Sequence, residues 1–435
     1  MSTVAKKIAF HTLGCKLNFS ETSSLSRDSL KYGYENVNSK EFADIYVFNT
    51  CSVTENANKE TRKLIRRSKR LNPNAFITLI GCYAQLKPKE LIKIKDVNLI
   101  LGTADKFDLL GHLDKVDTLD NIKSSVSGNI NDATIFNPSF SNDDRTRSFL
   151  KVQDGCDYNC TFCTIPLARG KSRSSSINET INIAKNISKT NTKEIVLTGI
   201  NIGDFGKGTS ETFYDLIKQM DSQIDIERFR ISSIEPNLLN DKIIEFCSQS
   251  KKFMPHFHIP LQSGSNKMLK SMRRRYTSQE YSDRLNKIKI LDQDACIGVD
   301  VIVGYPTESE ENFFETYNFL KNHDVSYLHV FTYSERENTK AIKFEPIVTY
   351  EERSRRSKIL RELSDQKRDN FYERSVGQIR PVLVEKSKNG ILFGYTDNYI
   401  KARIQGPISL ENTIQNVFIS EVKSGYVESE LVSVN

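Results

Sequence analysis

The sequence predicts an α/β protein in three parts: an N-terminal domain with a parallel sheet, a central partial barrel of six β/α units, and a C-terminal small β-barrel. Three observations predict this fold class. Apolar runs alternate with polar helical stretches near the N-terminus, six more such units follow, and short alternating strands fill the C-terminal end. A chain of 435 residues also exceeds what one hydrophobic core usually organises.

The N-terminal domain, expected over residues 1–123, repeats one pattern three times. An apolar run, predicted as a buried strand, leads to a cysteine: Lys7–Leu13 before Cys15, Ala43–Phe48 before Cys51, and Ala75–Ile80 before Cys82. Ligands of parallel sheets bind outside the carboxyl ends of the strands, so we expect these cysteines to converge on one site. The alternative is three core cysteines, because free cysteine is often buried.

A polar stretch at Ser124–Arg147 predicts an interdomain linker, placed at residues 124–146. The central domain, residues 147–373, begins a second β/α series. Its predicted strands are Phe149–Gln153, Glu194–Thr198, Arg228–Ser232, His256–Ile259, Ile297–Val303 and Tyr327–Thr332. Predicted helices between them include Glu179–Lys189, Thr212–Met220 and Glu310–Asn322. Six units predict a closed or partly closed barrel with its site at the carboxyl ends of the strands.

The chain changes character towards its C-terminus. Glu351–Arg374 is a long, charged and amphipathic pattern, which predicts a connecting helix. From Ser375 onward, short alternating runs are separated by glycine and asparagine turns. This pattern predicts a small β-barrel over residues 374–435.

Cys156, Cys160 and Cys163 form the most specific motif in the chain. The spacing CxxxCxxC follows a predicted strand and an Asp-Gly turn, which puts three thiols in one short loop. A [4Fe–4S] cluster normally takes four thiolates, so three would leave one iron open for a substrate or cofactor. A zinc loop with a distant fourth ligand is the alternative, but no partner CxxC lies at zinc-ribbon spacing.

The composition indicates in which cellular compartment the protein is expected. No stretch approaches the roughly 20 apolar residues of a membrane span, and the N-terminal sequence does not read as a secretory signal. We therefore expect a cytoplasmic protein without a membrane partner, whose cysteines stay reduced and available to metals. Cys247, on a predicted helix, and Cys296, at the start of a strand, are expected in the core.

The cysteine loop, with Phe162 before its last cysteine, resembles the signature of the radical S-adenosylmethionine (SAM) superfamily. Two cysteine triads and a terminal β-barrel further resemble the methylthiotransferases, over nearly the whole chain. The matching stretches are Thr12–Asn18 (TLGCKLN), Asn49–Thr54, Gln153–Gly170, Leu197–Gly203, Ser232–Pro236, His258–Ser265 (HIPLQSGS) and Asp300–Glu308 (DVIVGYPTE). The terminal barrel resembles a TRAM domain, an RNA-binding module.

The resemblance implies two [4Fe–4S] clusters and SAM as cofactors, with an external electron donor and a sulfur source as partners. One cluster would bind SAM at Cys156, Cys160 and Cys163 and cleave it to a 5′-deoxyadenosyl radical. The other, on Cys15, Cys51 and Cys82, would carry the sulfur. Phe162 would pack near the adenine. Further SAM contacts are expected after the barrel strands, where ordinary turn chemistry is the alternative: Gly199, Asn201, Gly203, Ser233, Glu235, Gln262, Ser263 and Gly304.

The family has three substrate branches: isopentenyl-adenosine in tRNA, threonylcarbamoyl-adenosine in tRNA, and an aspartate of a ribosomal protein. The stretch TCSVTENANKETRKLIRR, which contains Cys51, resembles the threonylcarbamoyl branch. The implied activity is methylthiolation at C2 of that adenosine, beside the anticodon. The alternatives are the other two substrates and, from another class, a non-catalytic iron–sulfur RNA-binding protein. One departure is Pro306-Thr307-Glu308, where the family often has Pro-Gly-Glu.

Contact with the tRNA anticodon stem-loop is expected from charge. The net charge is +7, and basic residues cluster in Lys59–Arg70 and Lys270–Arg275. Such clusters bind phosphates without reading sequence, although a solvated helix face is the alternative. Three aromatic residues of the TRAM segment, Phe393, Tyr395 and Tyr399, could stack on bases or fill the barrel core.

Overall fold

A computed structural model gives the structure of the chain and describes residues 5–52, 55–115, 123–141, 146–387 and 390–432. The chain divides into two compact units. The first comprises residues 1–141, 149–159 and 163–175, and the second comprises residues 142–148, 160–162 and 176–435. No helix among the described residues has both the length and the apolar character needed to cross a bilayer.

The first unit is built on a six-stranded parallel sheet with the strand order β2-β1-β3-β4-β5-β6. Its elements are β1 (Lys7–Thr12), α1 (Lys16–Lys31), β2 (Glu35–Val37), β3 (Ile45–Thr50), α2 (Glu55–Leu71), β4 (Phe76–Gly81), α3 (Cys82–Leu86), α4 (Pro88–Leu91), β5 (Leu99–Leu101), α5 (Leu109–Asp114) and β6 (Ser124–Val126). After these, the chain forms β7 (Arg147–Lys151), β8 (Gln153–Asp154), α6 (Ile165–Arg169) and β9 (Arg173–Ser174). The predicted parallel sheet and its three cysteine-bearing strands are confirmed.

The central strands β3 and β4 are apolar because helices cover both faces of the sheet. Every residue of both strands is buried, as expected where a parallel sheet is covered on both sides. Successive side chains alternate between two apolar clusters. Tyr46 and Phe48 belong to one, and Ile45 and Val47 belong to the other. The strands that lead to the cysteines are therefore packed against an apolar cluster on each face of the sheet.

The stretch predicted as a linker begins with a strand instead. Ser124–Val126 forms β6, which pairs in parallel with β5 at the edge of the sheet. The polar composition hid this strand, because an edge strand is held by backbone hydrogen bonds and needs little apolar burial. Residues 142–145 of the predicted linker lie outside the described residues.

The second unit carries the central β/α series. Its strands are β10 (Glu194–Thr198), β11 (Arg228–Ile231), β12 (His256–His258), β13 (Cys296–Val303) and β14 (Tyr327–Thr332). Its helices are α7 (Ile177–Ser188), α8 (Phe213–Gln223), α9 (Asp241–Gln249), α10 (Asn266–Ser271), α11 (Ser278–Leu291), α12 (Glu310–Asn322) and α13 (Tyr350–Glu373). Strands β10 and β11 pair in parallel, as do β12, β13 and β14. Among the described residues, only the isolated bridges Phe229 to Phe253 and Ser233 to His258 connect the two sets, so the barrel is partial, as predicted.

The helices of this series begin at polar caps that the sequence supplies. In six of them the N-cap side chain accepts a hydrogen bond from the backbone N–H three residues later: Ser176, Thr212, Asn240, Thr277, Ser309 and Thr349. Each such cap is worth about 1 kcal/mol. Because every cap follows directly from the local sequence, the helix starts needed no tertiary information.

The C-terminal residues form the predicted small barrel. Its strands are β15 (Ile379–Val384), β16 (Leu392–Thr396), β17 (Lys401–Ile404), β18 (Ile414–Lys423) and β19 (Tyr426–Leu431). The barrel closes in the order β15-β16-β17-β19-β18. Its interior is filled by alternate aliphatic side chains such as Val382, Ile404 and Val417. Closure leaves no strand edge open, which suits a small all-β module.

Candidate cysteine centres

The first cysteine centre lies at the carboxyl ends of three neighbouring strands of the parallel sheet. We call Cys15, Cys51 and Cys82 the strand-end site, because they follow β1, β3 and β4, which are neighbours in the sheet. Cys51 and Cys82 are buried, whereas Cys15 keeps exposed surface at the start of α1. The topology thus brings together three cysteines that are far apart in the sequence.

Glycines in the left-handed region shape this site. Gly14 and Gly81 each have φ 94° and directly precede Cys15 and Cys82, a conformation that costs glycine little. A Cβ placed on Gly14 would lie 2.8 Å from the Sγ of Cys51. The backbone before Cys15 therefore presses directly against the neighbouring cysteine.

Arg169 brings a buried positive charge to this site. Its guanidinium is fully buried, and its charge acts on both Cys15 and Cys82. Although the residue keeps exposed surface, desolvation by the surrounding protein raises the pKa of Cys15, and the charge of Arg169 opposes that rise. Cys82 lies near enough to Cys15 to raise the same pKa further. The site therefore combines three thiols with one fixed cation.

Buried carboxylates hold Arg169 in place. Its Nη1 donates to Glu21 Oε1 at 3.0 Å and to Asp154 Oδ1 at 2.9 Å, and its Nη2 donates to Asn18 Oδ1 at 2.5 Å. Lys106 contacts Glu21 at 2.6 Å, and Lys151 contacts Glu21 at 3.0 Å. Burial alone would raise the pKa of Glu21, but the surrounding cations outweigh it and hold the pKa well below its usual value.

Sequence reasoning did not find this network. Glu21, Lys151, Asp154 and Arg169 all lie in or beside the motifs quoted above, yet none was singled out as a site residue. A signal was present: Lys151 and Asp154 are charged residues in otherwise buried strands. A charge in such a position is stable only when it is paired.

The second cysteine centre is a loop, which we call the loop site: Cys156, Cys160 and Cys163. The chain itself keeps these residues close, because they occupy one stretch of eight residues, 156–163. Gly155, with φ 71°, turns the chain into it. The Sγ atoms of Cys156 and Cys163 each accept a backbone N–H, from Tyr158 and Ile165, at 3.4 Å.

Cys160 has an arginine of its own. Arg274 Nη1 donates to Cys160 Sγ at 3.2 Å, and Arg274 also forms an ion pair with Glu235. Burial raises the pKa of the Cys160 thiol, and the charge of Arg274 opposes the rise. Arg274 was predicted only as one of the Lys270–Arg275 cluster facing RNA. That interpretation is wrong for its side chain, which is turned inward by Glu235 and Cys160.

The predicted SAM contacts follow the carboxyl ends of parallel strands. Gly199, Asn201 and Gly203 follow β10, Ser233 and Glu235 follow β11, Gln262 and Ser263 follow β12, and Gly304 follows β13. Phe162 packs against an apolar cluster that contains Met268, Met272 and Tyr305.

Several of these residues also have packing roles. Ser263 Oγ lies 2.9 Å from Thr316 Oγ1. A Cβ on Gly203 would meet Leu238 at 2.5 Å, and one on Gly304 would meet Arg353 at 2.2 Å.

A histidine–aspartate group on three neighbouring strands was not foreseen. Asp300 Oδ1 lies 2.7 Å from His258 Nε2 and 3.3 Å from His329 Nδ1. Burial would raise the pKa of Asp300, but its hydrogen bonds with both imidazoles lower it well below the usual range. Only His258 and Asp300 fall in the quoted motifs, so the group could be found only from the strand register.

The residues expected to face RNA divide into two groups. Helix α2 is confirmed, and Arg62, Lys63, Arg66, Arg67 and Arg70 are exposed on it. Two tyrosines of the barrel, Tyr395 and Tyr399, are partly buried and have ring partners within the protein. Tyr399 stacks on Tyr395 at 4.8 Å and on His256 at 4.4 Å. Arg230 and Arg147 cover the two rings, and Lys401 lies over Phe393 at 4.9 Å.

Comparison with known proteins identifies the family. Residues 7–102 match the uncharacterized protein family UPF0004, residues 150–320 the Radical SAM superfamily, and residues 373–432 the TRAM domain. Threonylcarbamoyladenosine tRNA methylthiotransferase MtaB of Bacillus subtilis (strain 168) is 41% identical over 98% of this chain and 96% of its own length. Its namesake of Aquifex aeolicus (strain VF5) is 39% identical, over 92% and 97%. The chain belongs to the radical SAM methylthiotransferase family.

Solved structures match the fold of this methylthiotransferase. The radical SAM methyltransferase TsrM from Kitasatospora setae, with cobalamin and a [4Fe-4S] cluster bound, gives a TM-score of 0.56 at 10% identity, covering 78% of this chain and 77% of that chain. The cobalamin-dependent radical enzyme OxsB gives 0.52 at 17% identity, and 78% of this chain spans 54% of that structure. At these identities the likeness concerns the fold alone.

Membership of the family fixes the cofactors. The methylthiotransferase is an enzyme that uses SAM and two [4Fe–4S] clusters. The residues present fit this requirement. All eight cysteines are thiols rather than disulfides. Three of them follow neighbouring strands of one sheet, and three share one short loop. In addition, the buried Nε of Arg169, whose charge acts on Cys15 and Cys82, has no acceptor among the described residues.

Proposed function

We propose that this methylthiotransferase acts on tRNA and inserts a methylthio group at C2 of N6-threonylcarbamoyladenosine beside the anticodon. One observation carries the choice of substrate. Four relatives that bear this activity in their names are 33–41% identical to the chain. Four relatives named tRNA-2-methylthio-N(6)-dimethylallyladenosine synthase are 29–31% identical.

We assign one cluster to each cysteine centre. Cys156, Cys160 and Cys163 would hold the cluster that binds SAM, because a short loop of three thiolates leaves one iron open. Cys15, Cys51 and Cys82 would hold the second cluster, because neighbouring strand ends bring them to one edge of the sheet. Cys247 and Cys296 are not assigned as ligands, because Cys247 is buried on helix α9 and Cys296 is buried in strand β13, away from the short loop and from the ends of β1, β3 and β4. Burial raises the pKa of Cys296 to about 12.

The substrate explains why the enzyme needs such equipment. The C2–H bond of adenine is not usefully acidic, so a side-chain base cannot start the reaction. The loop-site cluster and SAM, when bound, supply a carbon radical that removes the hydrogen atom. The chain's own residues bind and orient. Phe162 would pack beside the adenine of SAM, and the turn residues from Gly199 to Gly304 would supply polar and backbone contacts.

The RNA would bind through phosphate contacts. The exposed basic residues of α2, together with Lys270, Arg273 and Arg275, would neutralise the anticodon stem-loop without reading its sequence. The TRAM domain would add to this contact. We expect the reaction in the cytoplasm, with an external electron donor and a separate sulfur source.

Mass spectrometry of tRNA nucleosides tests the substrate. We expect the 2-methylthio-N6-threonylcarbamoyladenosine peak to vanish when the gene is deleted from an organism with no second copy, and to return with the wild-type gene. Loss of the 2-methylthio-isopentenyl-adenosine peak instead would favour the isopentenyl branch. Unchanged tRNA, with an unmodified ribosomal-protein aspartate, would favour the ribosomal branch.

Cysteine variants test the assignment of the two centres. Alanine at Cys156, Cys160 or Cys163 should abolish both 5′-deoxyadenosine formation and the modified nucleoside. Alanine at Cys15, Cys51 or Cys82 should abolish the nucleoside and leave SAM cleavage. Cys247→Ala, which also removes a buried thiol, is the control and should retain both. Absence of 5′-deoxyadenosine from the reduced, reconstituted wild-type protein would sink the enzymatic function and favour a non-catalytic iron–sulfur protein.

A further inference from the structure

Arg169 is a fully buried cation whose charge acts on two cysteines of the strand-end site, Cys15 and Cys82. It ends helix α6. Asn18 connects it to the strand ends themselves. The Nδ2 of Asn18 donates to the carbonyls of Leu13 at 2.9 Å and Thr50 at 3.3 Å, while its Oδ1 accepts from Arg169. The arginine is therefore tied to the backbone that carries Cys15 and Cys51.

The charges around Arg169 do not cancel. Two carboxylates, Glu21 and Asp154, face three fully buried cations, Lys106, Lys151 and Arg169. Arg173 also pairs with Asp154, at 3.2 Å, so the cations of this network outnumber its carboxylates. Arg169 is the member whose charge acts on the cysteines, so the excess lies towards them. In a dry interior such a charge acts strongly on its neighbours.

The free donor of Arg169 points to the same conclusion. Its four described hydrogen bonds all use Nη1 and Nη2, and the buried Nε has no acceptor among the described residues. A buried donor without an acceptor costs about 1–3 kcal/mol. Sulfur atoms of a cluster held by Cys15 and Cys82 would supply the acceptor that this N–H lacks.

We propose that Arg169 is a positioning residue for the strand-end cluster, placing a fixed positive charge and an N–H donor against its sulfur atoms. The inference rests on the proposed assignment of that cluster to Cys15, Cys51 and Cys82. The charge favours the more reduced, more negative state of the cluster and thereby raises its reduction potential, because hydrogen bonds to sulfur and local charge set that potential. Arg169 thus tunes the centre that carries the sulfur.

The test uses the full chain with alanine at all three loop-site cysteines, so that only the strand-end cluster remains. This parent protein is reconstituted with iron and sulfide without oxygen, and its reduction midpoint is followed by electron paramagnetic resonance (EPR). Arg169→Gln removes the charge, and Arg169→Lys keeps it while removing Nε. Lys106→Gln is the matched control, because it removes a cation from the same network that does not lie beside the cysteines.

We expect a more negative midpoint in Arg169→Gln, a midpoint nearer to the parent in Arg169→Lys, and a clearly smaller shift in Lys106→Gln. An unchanged midpoint in Arg169→Gln, or an equal shift in Lys106→Gln, would overturn the inference. If Arg169→Gln takes up no iron, Arg169→Lys decides: a changed EPR spectrum supports the inference and the parent spectrum overturns it. If the parent protein takes up no iron, both the assignment of Cys15, Cys51 and Cys82 as ligands and the inference about Arg169 are wrong.

Discussion

The two cysteine centres reach the same donor set by opposite routes. The loop site is written in one short stretch, so its three thiols are close whatever the rest of the fold does. The strand-end site exists only after β1, β3 and β4 have paired. A local motif can therefore be recognised from spacing alone, whereas the second centre depends on topology and on every interaction that holds the sheet edge in register.

Two devices are nevertheless common to both centres. A left-handed glycine precedes a cysteine in each: Gly14 and Gly81 at the strand-end site, and Gly155 at the loop site. Each centre also has a buried arginine paired with a glutamate. Arg169 shares two carboxylates with two lysines, while Arg274 has Glu235 as its carboxylate partner. The two arginines differ in the number of buried charged groups around them, and variants of their glutamate partners test this difference.

The largest expected difference concerns the two glutamates. Glu21→Gln should lower the free energy of unfolding by about 3–5 kcal/mol, because it leaves buried cations without their counter-charge. Glu235→Gln should cost clearly less, since Glu235 is partly exposed and faces one arginine. Urea denaturation of the two apo proteins measures both. Equal losses would mean that the buried network at Glu21 is no more demanding than the single pair.

The same substitution should change the response to acid. The pKa of Glu21 is lowered in the folded protein, so its stabilising effect is fully present above its usual value of 4.5 and is lost as the pH falls below it. Wild-type stability should therefore decline steeply in that acidic range, and Glu21→Gln should decline less. Unfolding free energies measured from neutral pH down to about pH 3 would reveal the slopes. Parallel slopes would contradict the prediction.

The next largest effects are expected from substitution of the glycines that precede the cysteines. A Cβ on Gly14 would collide with Cys51, and one on Gly155 would lie 2.0 Å from the carbonyl of Lys171. Gly14→Ala should reduce the modified nucleoside about 100-fold and spare SAM cleavage, while Gly155→Ala should reduce SAM cleavage about 100-fold, since a displacement of 1 Å can cost that much.

Gly208→Ala is the control for backbone strain alone. Gly208 is also left-handed, with φ 84°, but a Cβ there would meet nothing within 4 Å. A loss of activity as large in Gly208→Ala as in the other two variants would show that conformation, not collision, accounts for the effect.

Arg274 should matter to SAM cleavage by a smaller factor. Its Nη1 donates to Cys160, and groups that orient a metal ligand are typically worth about 10–100-fold in affinity or activity. We expect Arg274→Gln to form 5′-deoxyadenosine about 10-fold more slowly. Lys267→Gln, an exposed lysine on α10, should leave the rate unchanged. A wild-type rate in Arg274→Gln would show that the bond to Cys160 has no part in the reaction.

Most of the fold could be predicted from the sequence, but few of the buried charge interactions could. The strands, the helix caps and the terminal barrel follow from local sequence patterns, and the cysteines were identified from their positions after predicted strands. The partners of those cysteines could not be identified in this way. Arg169 and Glu21 meet across a long stretch of chain, and no local period reveals such a pair. For Tyr399 the sequence likewise left two roles open, stacking on bases or filling the barrel core, and did not reveal that His256 stacks on its ring.

The smallest prediction separates conformation from space at a third left-handed turn. Thr307 stands where the family often has glycine, and its φ of 71° is strained for a β-branched residue. Unlike Gly14 and Gly155, this position accommodates a side chain, so only the backbone strain is at issue. Thr307→Gly should raise the unfolding free energy by about 1 kcal/mol, allowing for the greater chain entropy of glycine. Thr307→Ala keeps an L side chain at the same φ and should gain little. Urea midpoints compare the three proteins, and an equal gain in both variants would locate the cost in the branched side chain rather than in the left-handed backbone.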